Sequence, residues 1–496
     1  MAVEILAILT VFLAGTAFVR MCGLRGWGVV PLGFIAGTAL YIGVGLVQLV
    51  TRFPTTPVIT MVVTAVVPLL VWAVLLFRRR DVAVPWKPAL ASVVAVVGLT
   101  VIFRLAHMFS WHVDSHDYVG IGAQLARDHF GEFPREQLLT ARLVGVPFVH
   151  APASLTNDYY LRSAAPLLAL ATFAAIVWFF HRGTRHLVDQ RTVTILTIAG
   201  LAFLVTSNRV VHHVFYVNGH LMTGTFVLVI AAAGWLLATR RNSVEPRTLV
   251  ALILVVLPAL VVTRPEGAVM GAIALLPLVI SQEVSAKTRS GVLVALGVPM
   301  IVWFGYAQWL LTSTGAEPDW SSAGMMAVGV LMCVAAMLVR LVPWLKRGLN
   351  VRGRTYLLGG VEIFLWLALV PFTLRDPDLM WRSISATAKN QVVGGWGVTV
   401  LALGAFAVLA AFMLRNHWTT YLRFPVTTFL PLVFLLAFLR DGGYRIGATD
   451  SLNRMWIQII PLAVLYVLSA IALDRVDRGS PDDNATEQPV ATTLGR

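Results

Sequence analysis

The sequence predicts an all-helical, polytopic membrane protein. Three observations carry that prediction: composition, the recurrence of long apolar runs, and the alternating character of the loops between them. Of 496 residues, 58% are hydrophobic and 12% are charged, with a mean hydropathy of +0.80. A soluble domain carries about 25% charged and about 45–50% apolar residues, so an ordinary cytosolic enzyme and a disordered chain are both excluded.

Apolar runs near the roughly 20 residues that a spanning helix needs recur about fifteen times. They lie near 5–22, 28–49, 57–77, 89–109, 163–181, 192–207, 219–238, 248–263, 267–281, 291–312, 324–343, 355–374, 397–414, 424–439 and 455–473. The run at 192–207 is short. The stretch 248–281 reads as one hairpin broken at Arg264-Pro265-Glu266-Gly267.

One set of loops is short and basic and holds 23 of the 38 Lys and Arg residues, among them Arg78-Arg79-Arg80, Arg240-Arg241, and Lys346 and Arg347. The positive-inside rule puts this set in the cytoplasm. The N-terminus is then expected outside and the C-terminus inside. The net charge of +14 reads as topology, not as a nucleic-acid surface. Glu4 before the first run and Arg20 after it reverse the polarity of a secretory signal, so that segment is expected to be retained. The other loops (50–56, 110–162, 208–218, 264–267, 313–323, 375–396 and 440–454) are richer in His, Asn, Asp, Tyr and Trp. All candidate chemistry falls on them. Cys22 and Cys333 form neither a disulfide framework nor a metal set. The usage of 4 Lys to 34 Arg suits a GC-rich bacterial genome. Residues 475–496 are expected to form a disordered tail.

The segment Trp111-His112-Val113-Asp114-Ser115-His116-Asp117-Tyr118 directly follows a run. Apolar residues at 118, 119, 121, 125 and 126 predict an amphipathic helix lying in the interface. Asp114, Asp117 and Tyr118 then share one side of it. Asp114 is placed either as an N-cap or as a reactive carboxylate. Two Asp and two His within six residues beside a span favour a site. Asp114 and Asp117 can raise one another's pKa or share a divalent cation such as Mg or Mn, with His116 as a further ligand or a phosphate contact.

In order, Asp114…Tyr118, Gly131-Glu132-Phe133-Pro134 and Leu161-Arg162-Ser163 resemble the GT-C class of membrane glycosyltransferases. The resemblance is to the protein-mannosyltransferase and aminoarabinose-transferase branch. It covers about 50 residues closely and the remainder by span pattern. Four departures stand out: Ser115 where that branch has an acid, His150-Ala151-Pro152 in place of its Lys-Pro turn, Asn218-Gly219-His220 near its second Asp, and several spans before the catalytic loop where that branch usually has one, so that the resemblance implies 1–88 as additional N-terminal helices and 89–474 as the GT-C-like module.

The resemblance implies a GT-C-like fold and a polyprenyl-phosphate sugar donor in the bacterial plasma membrane. The acceptor is an extracytoplasmic glycan, lipid or protein, and transfer inverts the anomeric centre. It implies Asp114 as the base, with Asp117 second, and Tyr118, Arg162, Asn218 and His220 around the substrate. Arg264 either meets the donor phosphate or pairs with Glu266. Arg445 or Arg454 either clamps phosphate or snorkels. The rival readings are a lipid-linked polysaccharide polymerase or ligase, which predicts a large late outer loop, and a lipid or sugar transporter, which predicts paired repeats. No Rossmann or Walker motif is present.

Overall fold

A computed structural model describes residues 1–78, 85–106, 113–127, 142–156, 158–185, 187–239, 244–313, 315, 317, 319–414, 417–439, 444–446 and 451–479. Among them no strand forms. An isolated β-bridge joins Ser281 to Leu349. Among the described residues ten helices are long and apolar enough to cross a membrane, or twelve if each of two bent pairs is one crossing. The bent pairs are Gln190–Val205 with Asn208–Val214, at 79°, and Pro377–Val392 with Gly397–Met413, at 119°. Three shorter apolar helices, Pro246–Val261, Gly267–Val279 and Ile460–Asp474, fall on the other expected runs.

At the centre stands Gly219–Thr239, whose spanning window is 100% buried. It is apolar all round, the pattern of a helix with protein on every side. Ala164–Thr184, Pro246–Val261, Gly267–Val279, Thr420–Leu439 and Ile460–Gly479 pack around it. Trp86–Leu105 and Val351–Arg375 are 11% buried and form the periphery. The first two helices, Ala2–Met21 and Val29–Val50, belong to the same continuous core as the rest, so packing does not break near residue 88. They cross at glycines. A Cβ on Gly15 would sit 1.9 Å from the Gly33 carbonyl oxygen, and one on Gly37 would sit 1.9 Å from that of Val11. Small residues let the two backbones touch, as in close-packed membrane helices.

The two sets of loops separate to opposite ends of the bundle. At one end Thr248 Oγ1 donates to the Cys22 carbonyl (2.5 Å), and the Leu349 amide donates to that of Ile280 (2.7 Å). There too, Arg354 meets Glu283 (2.6 Å), Tyr421 (2.7 Å) and Ser281 (3.1 Å). These contacts join loops expected to be cytoplasmic. At the other end Thr55 Oγ1 reaches the Leu125 carbonyl (2.9 Å), and residues of 114–162, 207–220, 262–266, 390–396 and 444–458 meet. Glu4 closes that end from the first helix. It takes Arg104 at 2.5 Å and both the amide and hydroxyl of Ser163 at 2.8 Å.

Two expectations change in detail. The 375–396 stretch, expected as a loop, contains the helix Pro377–Val392. Asp376 accepts from the Leu379 amide at 2.9 Å, and Pro377 occupies the first helical position, a start signal that chain chemistry supplies. The last helix runs to Gly479, so a tail can start no earlier than 480, outside the described residues. Gly131–Pro134, Arg79, Arg80, Arg240 and Arg241 also lie outside them.

Gly37→Val tests the glycine crossing. The new methyls meet the backbone of the first helix, and overpacking of this kind costs about 1–3 kcal/mol. The purified variant is expected to lose several degrees of thermal stability in detergent, whereas Gly43→Val, where a Cβ meets nothing within 4 Å, is expected to melt as the native chain does.

Candidate functional site

The expected helix forms over Val113–Ala126. Its buried face carries Ser115, Tyr118, Ile121 and Leu125, with Asp114 at 9% exposure, the i, i+3/i+4 spacing of an amphipathic helix. Asp114 sits in the first turn, inside the helix and not at its cap, and its carboxylate is turned to cations. Oδ1 takes Arg142 Nη2 at 2.7 Å, and Oδ2 takes Arg454 Nη2 at 2.6 Å and the Tyr216 hydroxyl at 3.3 Å. Arg454 also bonds the Tyr216 oxygen. Asp117, one turn on, accepts from Arg142 Nε at 2.9 Å. The two carboxylates thus share one side, as expected, and Arg142 bridges them. His116 points the other way and is exposed. Among the described residues no group of three or more His, Cys, Asp or Glu is gathered that could hold a metal ion. With a guanidinium between the two Asp side chains, this arrangement does not fit a shared divalent cation.

A second cluster adjoins the first through Tyr118. Its buried hydroxyl accepts from Arg264 Nη1 at 3.1 Å. Arg264 Nε is paired with Glu266 at 2.9 Å, Gln458 donates to Glu266 at 2.7 Å, and Gln458 Nε2 lies 2.8 Å from His220 Nδ1. Asn218 Oδ1 accepts the His220 amide at 2.9 Å. The Arg264–Glu266 pairing is the one that the Arg-Pro-Glu-Gly turn suggested.

Glycine permits the convergence. A Cβ on Gly219 would lie 2.7 Å from Arg264 Cδ, one on Gly224 2.7 Å from the Ile457 carbonyl, and one on Gly145 2.8 Å from Thr263 Oγ1. The start of the central helix, the 262–266 turn and the 455–458 turn can therefore touch only with no side chain between them.

Two of the expected residues stand apart. Arg162 lies near the Glu4–Arg104 junction, 3.5 Å from the Arg104 carbonyl. Arg445 is exposed and is tied by its backbone carbonyl to Asn390 Nδ2 at 2.8 Å. Sequence reasoning missed Arg142, which sits in no motif, and Gln458, an amide inside an apolar run. His213 and His220 belong to separate helices, with rings 6.3 Å apart.

The two helix breaks dock on each other behind the site. Ser207 Oγ donates to the Trp396 carbonyl (2.8 Å) and Arg209 Nε to that of Gly394 (2.9 Å). The His213 ring stacks on Trp396 at 5.9 Å, and Trp396 Nε1 donates to Asn453 at 2.9 Å. That last bond holds the residue just before Arg454.

Electrostatics follow from burial and pairing. Burial opposes the charge on Arg142, but Asp114 and then Asp117 outweigh it and hold the guanidinium above its ordinary value. Arg264 is likewise buried and is raised by Glu266 and Tyr118. Burial pushes the Tyr216 phenol up, so it stays protonated and can donate to Asp114. His150, buried in the Gly145–His150 helix with Nδ1 accepting the Leu161 amide at 3.2 Å, is pushed down to about 4 by burial.

No protein-family model matches this chain, and neither a curated protein nor a solved structure matches it.

Two outcomes test this geometry. Removing one partner of a buried ion pair costs about 3–5 kcal/mol. Arg454→Ala is therefore expected to lower thermal stability sharply, and Asp114→Asn in the same chain to restore part of it. A double-mutant cycle with no coupling would contradict the pairing. For His150, the folded value lies below the ordinary 6.5, so the folded state resists the proton. The associated stability is complete above pH 6.5 and is lost as pH falls from there through about 4. Melting temperatures of the detergent-solubilised protein across that window are expected to fall less steeply for His150→Asn, which keeps an acceptor and cannot charge.

Proposed function

We propose that this chain is a membrane glycosyltransferase of the GT-C type, moving a sugar from a polyprenyl-phosphate donor to an extracytoplasmic glycan, lipid or protein acceptor. One observation carries the reading: a carboxylate at the mouth of a helical bundle, Asp114, is held by two guanidiniums from distant segments. A third, Arg264, lies one tyrosine away. Such a set supplies a base beside cations suited to a phosphate.

In the proposed reaction Asp114 takes the proton of the acceptor hydroxyl as its oxygen bonds to the anomeric carbon. The bond from that carbon to the donor phosphate oxygen breaks in the same displacement, and its electron pair leaves on the phosphate. Arg454 and Arg142 stabilise the charge that develops there. Both Asp114 oxygens are engaged before substrate arrives. Arg142 is the more accessible partner, at 23% exposure against 3% for Arg454, and moves onto the phosphate to free the base.

The proposal extends to topology. The three shorter apolar helices cross as well, giving fifteen spans. At about 1.5 Å per residue Pro246–Val261 and Gly267–Val279 are shorter than the roughly 30 Å hydrocarbon layer. Pro246–Val261 is largely buried among neighbours, so protein, not lipid, surrounds much of it. The basic loops lie in the cytoplasm of a bacterial plasma membrane and the Asp114 end lies outside.

Asp114→Asn is expected to abolish transfer of labelled sugar from polyprenyl phosphate in proteoliposomes, by at least about 10²-fold, measured on the folded monodisperse fraction at a temperature below its lowered melting point. Asp117→Asn is expected to retain measurable turnover. Full activity in the first variant rejects the assigned base. Movement of the donor across the bilayer without any glycosyl product would indicate a transporter instead.

A further inference from the structure

We propose a second site, separate from Asp114 and independent of the transfer reaction: a groove that binds the phosphodiester of an anionic bilayer lipid, with Arg52 as its cation. The groove is open, about 320 Å³ in volume, and lies between the end of Val29–Val50 and the later turns of Ala286–Ser313. Its floor is Val50, Ile301, Val302, Tyr306 and Trp309. No carboxylate lines it. The Arg52 guanidinium lies 4.6 Å from the Trp309 ring centre and, among the described residues, has no hydrogen bond or ion pair. Its charge is complementary to an anion and is not already neutralised.

The backbone at Arg52 adds an independent observation. The helix Val29–Val50 ends in a Schellman arrangement. The Phe53 amide donates to the Gln48 carbonyl at 2.8 Å, and the Arg52 amide to that of Leu49 at 3.2 Å. The residue at this position is left-handed and is usually Gly. Here it is Arg at φ 57°, a conformation that an L side chain adopts at a cost. A cation–π contact at an exposed ring returns less than that cost. The helix end would close more readily on glycine, so the guanidinium is held in the groove against local preference. Strain of this kind marks ligand clamps.

The floor suits a lipid. Tyr306 and Trp309 stand on the last turns of their helix, with rings 5.7 Å apart. Aromatic residues so placed sit at headgroup depth. A phosphodiester at Arg52 would put the glycerol and first acyl carbons against Tyr306, Ile301 and Val302. The guanidinium offers paired donors to the phosphate oxygens.

The test is photo-crosslinking in proteoliposomes with diazirine-bearing phosphatidylglycerol or phosphatidylcholine, read by peptide mass spectrometry. Phosphatidylglycerol is expected to label the 301–309 and 50–53 peptides about fivefold above phosphatidylcholine, the factor that one cation near the lipid surface contributes. Labelling of the exposed Val62 and Leu70 face is expected to be equal for both. Arg52→Gly removes the cation while relieving the left-handed strain, so the fold is retained, and it is expected to abolish the difference. Trp309→Leu is expected to reduce it. Equal labelling by the two lipids overturns the proposal, as does an unchanged preference in Arg52→Gly. Displacement by millimolar inorganic phosphate as effective as by unlabelled phosphatidylglycerol overturns the lipid assignment.

Discussion

The mouth of the bundle depends on one ionic constraint: a nearly buried carboxylate at residue 114 must be compensated, and its compensation comes from far along the chain. Arg142, Tyr216 and Arg454 each stand on a different segment. An unpaired charge at such a place is prohibitive, so these segments fold against the Val113–Ala126 helix together or not at all. Arg454, buried, has the same need in reverse. Around this pair the glycines at 145, 219 and 224 set how closely the neighbouring turns approach. The docked helix breaks then fix Asn453, and with it Arg454.

Stability alone does not account for these charges. Replacing a buried ion pair with well-packed apolar side chains is often neutral or stabilising. A bundle with so continuous an apolar core has no need of three arginines and three acids at one end to stay folded. The opposite end shows what a structural polar tie looks like here. Arg354 meets one carboxylate and two hydroxyls, and Arg289 caps the carbonyls of Val279, Leu345 and Lys346. Those arginines fasten loops to helix ends. Arg142 and Arg454 instead converge on a single carboxylate, a geometry that binds chain to chain less economically and leaves cations side by side where an anion can meet both.

Much of this was legible in the residues. Apolar runs and loop charge gave the helices and sorted the loops into two sets, and the structure brings members of each set together at its own end. The period of residues 114–126 gave the amphipathic helix and put both Asp side chains on one face of it. The Arg264-Pro265-Glu266-Gly267 turn gave an ion pair at a hairpin tip. Pairing was not legible. Asp114 and Arg454 each drew notice for reasons local to them, but nothing in either segment encodes that they meet. Arg142 escaped because a lone arginine in a loop carries no periodic or motif signal. The helix at Pro377–Val392 escaped for a different reason: it is too polar to register as a span, and its Asp-Pro start is a two-residue cue. The 119° bend after it follows from Gly394 and Gly395, whose absence of side chains lets the Arg209 guanidinium and amide reach their carbonyls.

The self-neutralised state of the site has a consequence for the proposed reaction. Asp114, Asp117 and Glu266 already occupy Arg142, Arg454 and Arg264, so an incoming phosphate gains a cation only by taking it from a carboxylate. Exchange is easiest at Arg142, the most accessible of the three. Its departure uncovers Asp114 Oδ1 and Asp117 together while Arg454 and the Tyr216 hydroxyl still hold Oδ2. A base freed in this way is available only when a phosphate is bound, and its remaining oxygen stays fixed in direction by a buried partner. Water alone, with no anion to offer Arg142, leaves both oxygens covered. The same ion pairs that make the apo site look inert would therefore couple donor binding to activation of the acceptor and suppress hydrolysis in its absence.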